Sequence, residues 1–86
     1  MYNSIIKKYI SLVTKDKIKS FGIQNEIYLS EKEIDIIYVF INNNDYVDKL
    51  LNSNEDLVFI KIKPYLSDTN FNKIKNLFLE YKNKFN

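Results

Sequence analysis

Apolar residues recur along this chain at the three- and four-residue spacings of amphipathic helices. Between Tyr2 and Val13 the stripe is Ile5, Ile6, Tyr9, Ile10 and Val13. Thr14 is placed to cap a second helix, with Asp16 in its first turn, where the macrodipole favours a carboxylate, and with Ile18 and Phe21 facing inward. That helix is expected to fade after Gly22.

Ile27, Tyr28 and Leu29 form a short extended link into the strongest local signal in the chain. Ser30 and Glu33 make an S-x-x-E capping box, and Leu29 before the cap can staple against Ile34 inside the helix. Ile34, Ile37, Tyr38 and Ile41 continue one face, and Ile36, Val39 and Phe40 widen it, so this element is expected to be the most buried. The β-branched content of Ile34 to Ile41 also suits a strand, and the capping box decides for helix.

The run Asn42 to Asn44 breaks that helix, and Asn44 can cap a short one with Val47, Leu50 and Leu51 on its inner side. Ser53 and Asp56 suggest a further cap, with a helix over Leu57 to Ile62. Alternation of Val58, Ile60 and Ile62 against Lys61 and Lys63 fits a strand equally well. Pro64, lacking an amide hydrogen, ends or kinks a helix at that point. Ser67 or Asp68 then caps a last helix in which Phe71, Ile74, Phe78, Tyr81 and Phe85 form a packing seam, with Glu80 and Lys84 as an exposed pair. One Gly and one Pro leave nothing to mark a domain boundary. The fold expected is therefore all-α, a small single-domain bundle of four or five helices over residues 1–86.

Composition narrows the chemistry. The chain has no His, Cys, Trp, Arg or Ala, and all 13 basic residues are Lys. Without Cys there is no disulfide framework, thiolate nucleophile or zinc-thiolate site, and a small chain without such staples points to the cytoplasm. Without His, a general acid or base would need a strongly shifted Asp, Glu, Lys or Tyr, so no catalytic residue is expected. A single glycine rules out a phosphate-cradling loop or an EF-hand frame, and neither cofactor nor metal is expected. The longest apolar run, Ile36 to Ile41, is far short of the roughly 20 residues of a membrane span. Lys7 and Lys8 would interrupt the apolar core of a signal peptide. Ile, Lys, Asn, Tyr and Phe supply 51 of the 86 residues, the bias of a very AT-rich genome, so the missing arginine is partly mutational.

Charge is the feature with functional content. Residues 1–19 hold five Lys and one Asp, residues 20–60 two Lys and eight acids, and residues 61–86 six Lys and two acids. If the terminal helices pack side by side, Lys7, Lys8, Lys15, Lys17, Lys19, Lys73, Lys75, Lys82 and Lys84 would form one basic face suited to nucleic acid. The competing expectation is that basic and acidic helices attract one another within the fold. The acids themselves, at Glu31, Glu33 and Asp35, at Asp45 and Asp48, and at Glu55 and Asp56, sit at helix starts, where capping and the dipole account for them.

The run Val13-Thr14-Lys15-Asp16, the segment Ile27-Tyr28-Leu29-Ser30-Glu31-Lys32-Glu33 with Ile37 behind it, and the closing Asn76-Leu77-Phe78-Leu79-Glu80-Tyr81 resemble the layout of the small YqfT-like proteins of low-GC Gram-positive bacteria. The similarity covers roughly residues 5–82. It implies a short helical cytoplasmic bacterial protein of an uncharacterised family, with no catalytic or binding residue to carry over. The second helix, extended link and third helix are also similar to the helix-loop-helix arrangement of small nucleic-acid-binding modules. The first functional expectation is a non-catalytic protein-protein interaction module, binding a partner or a second copy of itself. The alternative is weak, sequence-nonspecific nucleic-acid binding through the nine lysines named above. No membrane partner is expected.

Overall fold

Every regular element is helical among residues 8–52 and 54–85, the part of the chain that the computed structural model describes. A helical stretch at residues 8–11 is followed by α1 (Lys15–Gln24), α2 (Glu31–Ile41), α3 (Asn44–Leu51), α4 (Glu55–Ile62), a 3₁₀ turn (Lys63–Tyr65) and α5 (Asp68–Phe85). The chain is thus an all-α bundle, and both segments that also suited a strand, Ile34 to Ile41 and Leu57 to Ile62, are helical. Among the described residues no helix is long and apolar enough to cross a membrane. The expected positions Ile5, Ile6, Lys7 and Ser53, and the side chain of Phe85, lie outside the described residues.

The helix starts are set by side chains that accept first-turn amides, as the backbone geometry of a helix end requires. The Lys17 amide donates to Thr14 Oγ1 (3.2 Å), the Tyr46 amide to Asn43 Oδ1 (3.2 Å) and the Asn70 amide to Ser67 Oγ (3.1 Å). The third cap is therefore Asn43 rather than Asn44, because Asn43 is the residue of the Asn run whose extended backbone lets its side chain turn back. The capping box of α2 is complete: the Glu33 amide donates to Ser30 Oγ (3.2 Å) and the Ser30 amide to Glu33 Oε1 (2.9 Å). Asn54 ahead of α4 makes no side-chain cap, so that helix relies on its packing. Pro64 ends α4 at Ile62 and sits in the 3₁₀ turn.

Gly22 does not end α1, which runs on to Gln24. The Ile27 amide donates to the Gly22 carbonyl at 2.7 Å, and a Cβ at residue 22 would stand 2.6 Å from the Ile27 carbonyl oxygen. The glycine is thus a point of backbone contact between α1 and the link, and Glu26, at φ 59°, makes the left-handed turn between them. Gly22→Ala should lower stability by about 1–2 kcal/mol, the overpacking against backbone outweighing the better helix propensity of Ala. Urea titration followed by circular dichroism measures this, and a gain in stability would show that the link yields freely.

The core forms where α4, the 3₁₀ turn and α5 meet. Phe59, Ile62, Leu66 and Phe71 are buried together, with Ile36, Phe40, Leu50 and Phe78 among the side chains packed around them. The Phe59 ring stands edge-on to Phe71 (6.0 Å between centroids) and to Phe78 (5.6 Å). Helix α4 holds three buried residues, Val58, Phe59 and Ile62, and α2 two, Glu33 and Ile34, so α2 is not set apart as the most buried element as its apolar content suggested. Val39 of α2 is 60% exposed, being about 200° around the helix from Ile37 and facing away from the bundle.

Candidate functional site

An open apolar pocket of about 590 Å³ lies between α1, α2, α5 and the chain ahead of α1. Ile18 and Phe21 of α1, Ile27 and Leu29 of the link, and Ile37 and Ile41 of α2 contribute to its wall. Ile74 and Leu77 of α5, with Ile10 and Val13, complete the apolar lining, while Lys17, Ser20 and Gln24 supply the polar side chains. The pocket exists because the link crosses from α1 to α2 at the contact between Gly22 and Ile27, which fixes the two helices relative to each other. Phe21, 45% exposed, meets Tyr81 of α5 with ring centroids 6.3 Å apart.

Near the same link, Glu33 is buried with 7% of its surface exposed. Its Oε2 accepts from the Ser67 amide (2.9 Å), and its Oε1 from the Ser30 amide (2.9 Å) and Asn70 Nδ2 (3.0 Å). Asn70 Nδ2 also donates to the Tyr28 carbonyl (3.0 Å). A single carboxylate therefore accepts the cap-residue amides of two helices, α2 and α5. Burial by itself would push this carboxyl up, but the Ser30 and Ser67 amides, with the Asn70 and Ser30 side chains, hold it below its ordinary value. A carboxylate saturated by donors and held ionised is suited to joining helices and ill suited to giving up or taking a proton.

The lysines are dispersed. Lys15 pairs with Asp35 at 2.9 Å and lies over the Tyr38 ring, while Lys17 Nζ reaches the Leu12 carbonyl at 3.5 Å. Lys73 donates to the Glu26 carbonyl (2.8 Å), Lys75 lies 3.9 Å from Asp56, Lys82 donates to Glu55 Oε1 (2.7 Å), and Lys84 lies over the Tyr81 ring. Lys8 and Lys19 are exposed, and Lys7 lies outside the described residues. At about 100° per residue, Lys75 and Lys82 share one side of α5 and Lys73 and Lys84 the opposite side. The first pair meets the acidic first turn of α4, which brings the basic end of the chain onto its acidic middle. The hydrogen bond from Lys82 is the main cause holding the Glu55 carboxyl below its ordinary value. Glu55 Oε2 is buried without a hydrogen-bond partner.

The outer side of α4 is a third feature, and spacing alone does not reveal it. Leu57 and Ile60, one turn apart, are 53% and 69% exposed, while Val58, Phe59 and Ile62 of the same helix are buried. The signal available in the sequence is that Leu57 to Ile62 is apolar at every position except Lys61. No protein-family model matches the chain, and comparison with curated proteins and with solved structures finds no match.

Proposed function

We propose that this chain is a non-catalytic protein-interaction module that docks through the outer face of α4. The observation that carries the proposal is that α4 holds the core on one side, through Val58, Phe59 and Ile62, and on the other holds Leu57 and Ile60 in solvent between the exposed Asp56 and Lys61. Covering what remains exposed of these two side chains is worth about 1–2 kcal/mol each, enough to bias association. Lys61 and Lys63, both exposed, flank Ile60 and suit a partner surface with an acidic rim. The cytoplasm is the proposed compartment, on the ground of the Cys-free composition.

Replacing Leu57 and Ile60 together with Lys should leave the urea midpoint nearly unchanged, within about 0.5 kcal/mol per exposed site. The same variant should lose partner capture from nuclease-treated host extract, and any self-association in sedimentation velocity runs. A wild-type chain that stays monomeric and captures nothing beyond what the double variant captures would end this reading.

Nucleic-acid binding through the lysines, the alternative, has less behind it, because the α5 lysines lie on opposite sides of the helix and two of them face carboxylates. Lys82→Gln bears on this directly. With the pair broken, the part-buried Glu55 is left with a weakened partner on one oxygen and none on its buried Oε2. A stability loss of about 1–2 kcal/mol is expected. An unchanged melt together with weakened, salt-sensitive binding to nucleic acid would reverse the preference.

A further inference from the structure

We propose that the pocket between α1, α2 and α5 binds a single-chain anionic amphiphile, the free carboxylate of a fatty acid, with its tail among Ile37, Ile41, Ile74 and Leu77 and its carboxylate at Lys17. No residue of α4 lines this pocket, so the proposal stands apart from the docking face above. Its volume of about 590 Å³ falls in the range of small-molecule sites, roughly 300–1,000 Å³. The lining is aliphatic apart from Phe21, Gly22 and three polar side chains, which gives a tail apolar contact and no hydrogen bond to satisfy.

Charge selects the head group. Among the described residues, Lys17 is the one charged side chain in the lining, and no carboxylate joins it there. Its recorded partner is the Leu12 carbonyl at 3.5 Å, the outer limit of a hydrogen bond, so the ammonium is open to a stronger acceptor. Lys17 also sits in the first turn of α1, at the positive end of the helix dipole. A cation at the edge of an aliphatic slot matches a molecule with one negative end and one apolar tail.

Isothermal titration of the full chain with octanoate, decanoate and dodecanoate tests this, with dodecanol, dodecyltrimethylammonium and phosphatidylglycerol vesicles as further arms. Affinity should rise roughly fourfold per added methylene. Dodecanoate should bind more tightly than dodecyltrimethylammonium, and the vesicles should not bind. Lys17→Glu, on an exposed position, should weaken dodecanoate by roughly tenfold or more and leave dodecanol unchanged. Leu77→Trp, on a part-exposed wall, should abolish binding of both, and replacing Leu57 and Ile60 should affect neither. Absence of saturable dodecanoate binding below its micelle range, equal affinity for the cationic amphiphile, indifference to Lys17→Glu in a chain with an unaltered melt, or binding to the vesicles alone would each overturn the proposal.

Discussion

Glu33→Ala should cost the fold about 3 kcal/mol, although it removes only one buried methylene besides the carboxylate. Two helix caps lose an acceptor at about 1 kcal/mol each, and the Asn70 amide loses one of its two acceptors for about 1 kcal/mol more. A domain of this length holds roughly 4–13 kcal/mol in total, so the variant should melt early. Glu33→Gln separates shape from charge. The amide keeps one acceptor oxygen but turns an NH2 group toward the Ser67 amide or toward the Ser30 amide and Asn70, so most of the loss should remain. The pH dependence follows from the direction of the shift. Because the folded carboxyl is held below its ordinary value, its contribution is fully present above the ordinary carboxylate range, about pH 4, and is lost as pH falls through the lowered folded value. Urea midpoints taken on acidification should therefore fall more in the wild type than in Glu33→Gln. Equal acid sensitivity in the two would mean that Glu33 is not the carboxylate that joins the helices.

Half of this junction is legible in the sequence. Ser30 and Glu33 are three residues apart, and local spacing is enough to read a capping box. The second half joins Glu33 to Ser67 and Asn70, more than 30 residues away, where no periodicity links the partners. The same divide runs through the rest of the fold. Thr14 and Ser67 stand where a cap is read from one neighbourhood, whereas Asn42, Asn43 and Asn44 are equally competent in sequence and only backbone geometry selects Asn43. Charge summed by segment foresees that the basic ends and the acidic middle attract. It cannot assign Lys75 and Lys82 to one side of α5 and Lys73 and Lys84 to the other, because that depends on how the helix is rotated against α4. The pocket is the least legible feature: its wall is assembled from three helices, the link and the chain ahead of α1, and each contributes residues that in sequence look like ordinary core.

Phe59→Ala should be the most damaging single truncation, at about 3–5 kcal/mol. The ring is buried at the centre of the core and stands edge-on to both Phe71 and Phe78, contacts that add about 0.5–1.5 kcal/mol beyond the area they bury. The consequence should reach beyond a cavity. Helix α4 is eight residues long and has no side-chain cap at Asn54, and among the described residues its ties to α5 besides apolar packing are the Lys82–Glu55 and Lys75–Asp56 pairs. A helix that short does not persist on propensity, so losing its central ring should let it open and release those pairs. Hydrogen exchange should then show residues 55–62 losing protection before α1 and α2 do, and the urea transition should broaden as one segment melts ahead of the others. Phe59→Leu, which keeps most of the volume, should cost less than half as much and leave the transition cooperative. A loss below about 1.5 kcal/mol for Phe59→Ala with α4 amides still protected would place the centre of the core elsewhere, and it would weaken the argument that the outer face of α4 is held in position from within.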